Sequence, residues 1–137
     1  MKRILIVNGD PRNCLAIHKA LAGIPCASFF AYDAVAAVAE ARRHNPDLVI
    51  VDFRLPAGGG LAVVERLRAL PGFASMPIIM IAEHDDRMET ERIYDAGVSV
   101  LLSKPVKRHL LVSYVREKLP KEASRGNWAD RPAAVLE

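Results

Sequence analysis

A chain of 137 residues has the length of one domain, and 51% apolar against 26% charged residues lets it bury a core without disulfide or metal staples. Net charge is +3 with no Lys/Arg block and no basic stripe interleaved with aromatics, so direct nucleic-acid binding is not expected. No apolar run reaches the roughly 20 residues a membrane helix needs. The apolar run in "MKRILIVNGD" is too short for a signal peptide, so a cytoplasmic protein without a membrane partner is expected. Cys14 and Cys26 have neither C-x-x-C nor zinc spacing and read as small buried apolar residues in a reducing compartment.

In chain order, "RILIVN" is a continuous β-branched run, suited to a strand covered on both faces. "DPRNCLAIHKALAG" predicts a helix capped by Asp10, started by Pro11 and ended by Gly23, with Leu15, Ala16, Ala20 and Leu21 on its inner side. "PCASFFA" is a weaker strand. Asp33 opens an Ala-rich helix whose last turn carries Arg42, Arg43 and His44, where cations suit the helix dipole. "PDLVIVD" is the clearest strand and ends on Asp52. "FRLPAGGG" is a loop, its glycines at 58 to 60 read as a flexible turn, and "LAVVERLRAL" is a helix. "MPIIMIA" is a buried strand, "EHDDRMETERIYDAG" a solvated polar loop with a mostly exposed helix, "VSVLLS" a fifth strand, and "KPVKRHLLVSYVREKL" a loop and last helix. Five strands alternating with five helices imply a parallel sheet with helices on both faces and right-handed crossovers. Residues 120–137 break the pattern and read as a C-terminal tail whose one large apolar group is Trp128.

In an open parallel sheet, ligands bind beyond the carboxyl ends of the strands. Those ends read Asn8-Gly9-Asp10, Asp52, Ala82-Glu83 and Ser103-Lys104-Pro105. Asp52 and Lys104 are therefore expected to face one another across a shallow pocket. A carboxylate can act as nucleophile and an amine can stabilise negative charge, which suits phosphoryl chemistry.

Here the sequence resembles the receiver domain of two-component response regulators, over residues 2 to about 119. "ILIVNGDP" resembles the first strand and acidic loop, and "PDLVIVDFRLPAGGG" the strand and loop that hold the phosphorylated aspartate. "MPIIMIA" resembles the fourth strand, and "AGVSVLLSKP" the fifth strand with its Lys-Pro signature. The resemblance implies a flavodoxin-like (βα)5 three-layer sandwich with a five-stranded parallel sheet in order 2-1-3-4-5. It implies that Asp52 is the phosphoacceptor, that Lys104 contacts the phosphoryl group, and that Pro105 follows a cis peptide bond. It implies a sensor histidine kinase or phosphotransfer protein as phosphodonor. It also implies a downstream output protein or homodimer on the face of the fourth helix, fifth strand and fifth helix. Ile93, Tyr94, Leu110, Leu111 and Tyr114 are candidates for that face or for the core. Such a domain is a signalling part, not an enzyme.

The departures from the family pattern are specific. The family's two Mg²⁺-binding carboxylates are replaced by Asn8 and Gly9. Asp10 lies one position along, where it serves equally well as a helix cap. The remaining tentative metal ligands are Asp52, Asp10 and the backbone carbonyl of Arg54, so Mg²⁺ binding is expected to be weak or absent. Ala82 stands where the family has the Thr or Ser that reports phosphorylation, and Leu101 where it has the rotating aromatic residue. Glu83 replaces a usually small residue beside the pocket. The Arg54 guanidinium either folds onto Asp52 in place of the metal charge or stays solvated. His18, His44, His84 and His109 are scattered and read as ordinary surface or helix-end histidines. Two functional readings follow, a phosphoacceptor receiver with weakened Mg²⁺-dependent phosphorylation and weakened switching, and a phosphorylation-independent interaction module. A small α/β enzyme has no dinucleotide fingerprint, P-loop or triad pattern to support it.

Overall fold

The computed structural model describes residues 1–121, so the predicted tail and Trp128 lie outside the described residues apart from Pro120 and Lys121. Five strands, β1 (Lys2–Val7), β2 (Cys26–Ala31), β3 (Leu48–Asp52), β4 (Ile78–Ala82) and β5 (Val100–Ser103), form one sheet in the order β2-β1-β3-β4-β5. Every pairing is parallel. Helices α1 (Pro11–Ala20), α2 (Ala34–His44), α3 (Gly59–Ala69) and α4 (Thr90–Ala96) fill the four crossovers, and α5 (Arg108–Lys118) follows the last strand. This is the predicted flavodoxin-like sandwich.

The central strands are apolar from Ile4 to Val7, Leu48 to Val51 and Ile78 to Ala82 because both faces of the sheet are covered there, whereas the flanking strands β2 and β5 are mostly half-buried. Successive side chains point to opposite faces. Leu5 and Val7, Val49 and Val51, and Ile78 and Met80 pack with residues of α2, α3 and α4. Ile4 and Ile6, Leu48 and Ile50, and Ile79 and Ile81 pack with residues of α1 and α5. Each layer holds a continuous apolar cluster, so the sheet is a rigid floor for whatever stands at its carboxyl edge.

Local chemistry fixes the helix ends. Asp33 accepts a hydrogen bond from the Ala36 N–H (2.7 Å), and Asn45 closes α2 in the left-handed region. Gly97 closes α4 at φ 116°. Two expectations are corrected and one element is defined. The inner face of α1 is Cys14, Ile17 and Leu21, whereas Leu15 is 46% exposed and Ala16 faces solvent. The apolar count allowed either stripe, and the Cys14 thiol fits under the sheet edge beside the carbonyls of Ile6 and Asn8. That burial pushes the thiol up to about 11. Within the stretch read as a polar loop and a helix, Asp85–Glu89 form a 3-10 segment ahead of α4. Finally, Gly59 and Gly60 belong to the first turn of α3 and are not a loose spacer. A Cβ at Gly60 would run into the Asp52 carbonyl oxygen. The helix start is therefore pressed against the strand that carries Asp52.

Candidate functional site

β3 ends one residue further toward the carboxyl edge than β1, with Asp52 registered against Ile81 of β4. Ala82 is registered against Ser103 of β5, and the Lys104 N–H donates to the Ala82 carbonyl (2.9 Å). Sheet register thus carries the Lys104 side chain toward Asp52. Asp52 is 5% exposed. Its Oδ2 accepts from Lys104 Nζ at 2.9 Å and from Asn8 Nδ2 at 3.1 Å. Its Oδ1 accepts from the Arg54 backbone N–H at 3.3 Å. One oxygen is held by two donors and the other by one. The Lys104–Pro105 peptide is cis, as expected.

Asn8 is itself oriented. Its Oδ1 accepts from the Asp10 N–H (2.9 Å) and from Asn13 Nδ2 (3.4 Å), which turns the amide nitrogen toward Asp52. Asn8 therefore enters the site as a hydrogen-bond donor. Gly9 contributes no side chain and sits with its Cα side against Pro56.

The structure decides two alternatives that the sequence leaves open. Asp10 does not turn to Asp52. Its carboxylate caps α1 through the Arg12 N–H (2.9 Å) and pairs with the Arg12 guanidinium (2.9 Å). That guanidinium lowers the Asp10 carboxyl from its usual value. Arg54 does not fold onto Asp52 and stays largely exposed, but it is not unpaired. Its guanidinium forks onto Asp86, with Nε at 3.2 and 3.1 Å from the two carboxylate oxygens and Nη2 at 2.9 Å from Oδ1. Asp86, in the 3-10 segment, is buried to 9% exposure and accepts a further bond from the Glu83 N–H (3.2 Å). The "EHDD" stretch is thus not wholly solvated, and Asp86 is the site residue the sequence reading passed over. Its only signal is an acidic stretch just beyond a strand end, which does not say which of Glu83, Asp85 and Asp86 turns inward.

Glu83 is exposed, with Oε1 3.7 Å from Lys104 Nζ. Ala82 is fully buried and brings no hydroxyl. Leu101 packs half-buried against the α2–α3–α4 layer. Of the candidates for the fourth-helix face, Tyr94 and Leu110 are exposed, at 45% and 41%. Ile93 and Leu111 are core, and Tyr114 packs against the α1–α5 layer.

Receiver domains as a class hold Mg²⁺ at the phosphorylation site. The side chains here do not fit that ion. Mg²⁺ takes oxygen ligands in near-octahedral array. Asn8 presents NH₂ to Asp52, Gly9 presents nothing, Asp10 is turned away, and Lys104 Nζ already neutralises Oδ2. Among the described residues, no three of His, Cys, Asp and Glu are grouped to hold a metal.

The Arg54 guanidinium also lowers the Asp86 carboxyl from its ordinary 3.8, aided by the Glu83 N–H and opposed by desolvation. A carboxyl depressed in the folded state stabilises above its unfolded value and loses that contribution as pH falls through the folded one. Stability is therefore expected to fall with acid below 3.8. Asp86→Asn should flatten that part of the curve in thermal melts taken from about pH 5 to about pH 2.

A groove of about 860 Å³ opens beside Asn8 and Lys104, between α1 and α5, with Ile17, Val106 and Leu111 among its walls and Lys19 and Arg108 at its rim. No helix among the described residues is long and apolar enough to cross a membrane.

Comparison with known proteins agrees with this architecture. Residues 4–116 match the response regulator receiver domain family. The chain is 30% identical over 135 residues to the DNA-binding response regulator MtrA of Mycolicibacterium smegmatis, covering 98% of this chain and 55% of that protein. It is 30% identical over 121 residues to the DNA-binding dual master transcriptional regulator RpaA of Synechocystis sp., covering 87% of this chain and 49% of that one. It thus spans about half the length of these curated relatives. The signal receiver domain of a signal transduction histidine kinase from Syntrophus aciditrophicus superposes with a TM-score of 0.80 at 25% identity, over 87% of this chain and 90% of that one. A CheY-like receiver domain protein from Methanospirillum hungatei JF-1 shares the fold, with a TM-score of 0.79 at 24% identity over 86% and 93% of the two chains. With its parallel 2-1-3-4-5 sheet and a family match over most of its length, the chain belongs to the response regulator receiver domains of two-component signalling.

Proposed function

We propose that residues 1–119 form a receiver whose phosphoacceptor is Asp52 and whose phosphorylation does not depend strongly on Mg²⁺. The observation that carries this reading is the division of labour on the Asp52 carboxylate. Oδ2 is held by Lys104 and Asn8, while Oδ1 has a single, longer contact. Oδ1 is the freer nucleophile. In the transfer, Oδ1 forms a bond to the phosphorus of a phosphohistidine or small acyl phosphate. The donor's bond to phosphorus breaks, and its electron pair leaves with the donor. Phosphoryl transfer needs positioning and charge more than covalent help from the protein. The Lys104 ammonium and the Asn8 amide supply donors in the place where the family uses a metal. Transfer is expected to be slower than in receivers with an intact acidic pocket, because two neutral or short side chains replace two carboxylates. The donor would be a sensor histidine kinase or phosphotransfer protein, and the output an interaction through Tyr94 and Leu110 with a partner or a second copy.

A second reading is supported by Ala82 and Leu101. A hydrogen bond to a charged group contributes about 1.5–3 kcal/mol. A buried Ala82 cannot make the bond that normally couples the phosphoryl group to the fourth helix. On this reading the domain is an interaction module whose state is set by its partner.

Intact mass after incubation with acetyl phosphate, with Mg²⁺ or with EDTA, separates the two. A phosphoryl adduct formed in both conditions and lost in Asp52→Asn is the expected result. An adduct that appears only with Mg²⁺ would show that the metal site works after all. No adduct from acetyl phosphate or from phosphoramidate would favour the interaction module.

A further inference from the structure

The Arg54–Asp86 pair closes a ring of contacts around Asp52. Starting at Asp52, the Arg54 N–H is on Oδ1, and the Arg54 guanidinium is on Asp86. Asp86 Oδ2 takes the Glu83 N–H, the Glu83 carboxylate approaches Lys104, and Lys104 returns to Asp52 Oδ2. The ring holds three carboxylates and two cations. Asp86 ties the turn after β4 to itself and to the loop after β3. From that turn the chain runs through the 3-10 segment into α4, where the Tyr94 hydroxyl accepts from the Leu101 N–H of β5 (3.1 Å).

We propose that this pair is the switch of the domain: a phosphoryl group on Asp52 draws the Arg54 guanidinium off Asp86, and residues 83–96 are released. The proposal rests on Asp52 being the phosphoacceptor. Three observations carry it. The Arg54 side chain is 62% exposed and so is free to turn, while that of Asp86 is 9% exposed and is not. Converting the carboxylate to an acyl phosphate adds about one negative charge at a site whose side chains do not suit a metal. Lys104 is already engaged, so the mobile cation two residues away is the one to answer. A guanidinium fork matches three phosphoryl oxygens at least as well as a carboxylate. Once Arg54 leaves, Asp86 is a buried carboxylate without its cation, which is a costly state that turning out to water relieves. The movement starts four residues beyond Ala82, so neither a hydroxyl at 82 nor an aromatic at 101 is required.

The test is hydrogen exchange by mass spectrometry on the full chain, with and without acetyl phosphate, and with the adduct measured by intact mass in the same samples. In the phosphorylated wild type, residues 83–96 are expected to exchange at least about tenfold faster, as losing a charge-assisted hydrogen bond would produce. Asp86→Asn is expected to exchange fast there before phosphorylation and to change little after it. Arg54→Ala, a change on an exposed side chain, is expected to behave the same way and serves if Asp86→Asn folds poorly. An adduct with unchanged exchange at 83–96 overturns the switch and leaves the phosphoacceptor reading standing. A variant that responds as the wild type does also overturns the switch. Absence of any adduct in the wild type overturns both.

Discussion

Asn8→Asp is expected to destabilise the domain in EDTA and to make its stability depend on Mg²⁺. The wild-type amide donates to Asp52 Oδ2 at 3.1 Å. Its orientation is fixed, because its own oxygen is taken by Asp10 and Asn13. An aspartate in that place keeps the bond from the Asp10 N–H and sets a second carboxylate against Asp52. Two buried like charges at such a separation cost about 2–5 kcal/mol once solvent and the Lys104 ammonium screen them. For a domain of this size that is on the order of 10 °C in melting temperature. Millimolar Mg²⁺ should restore most of the loss, because two carboxylates and a backbone oxygen make a site that an amide and one carboxylate do not. The wild type should shift by less than about 1 °C under the same addition. Paired thermal melts in EDTA and in Mg²⁺ read all four values. If the variant melts in EDTA as the wild type does, Asn8 is not coupled to Asp52 in the way its hydrogen bond indicates.

Gly60→Ala is the other large effect, and it acts on the scaffold beneath the site. The Gly60 N–H donates to the Phe53 carbonyl (2.8 Å), so the helix start is tied to the strand end by backbone alone. The added methyl would meet the Asp52 carbonyl and, at 3.0 Å, the Phe53 Cα. Both are main-chain atoms that no side-chain rotation can move. Overpacking usually costs about 1–3 kcal/mol, and a backbone clash belongs at or above the top of that range. Relief requires α3 to lift or Asp52 to retreat from Lys104. The expected outcome is a lower melting temperature together with slower phosphoryl labelling from acetyl phosphate. Alanine at Gly59 is the useful comparison, since its Cβ would find only the Phe53 carbonyl at 3.8 Å, and its cost is the left-handed φ of 82°. Gly59→Ala should lower stability with little effect on labelling.

Much of this was legible in the sequence, for reasons that differ from element to element. The central strands declared themselves because strands covered on both faces are apolar at nearly every position, and the order of strands in the chain already placed Asp52 and Lys104 at one edge. Caps such as Asp33 were legible because a single side chain does the work locally. The inner stripe of α1 was legible only in part: Cys14 reads as buried, but Leu15 is as apolar as Ile17 and only the shape of the space below decides between them. The partner of Arg54 was not, because Asp86 lies 32 residues away and its burial depends on how the 3-10 segment folds back. Gly60 looked like loop flexibility, and the reason for it is a close approach that no local pattern reports.

The Tyr94 hydroxyl has a consequence for how this domain behaves in a crowded solution. β5 is a margin of the sheet, and a margin offers unpaired backbone groups to any extended chain that drifts past. The strands behind it are nearly all apolar, so a foreign strand added there would find a sticky template. Strand β5 is only four residues long, and one of its amides, at Leu101, is occupied by a side chain from its own fold. A phenol on a neighbouring helix thus blunts edge-to-edge growth while leaving its ring on the surface, where a specific partner can still reach it.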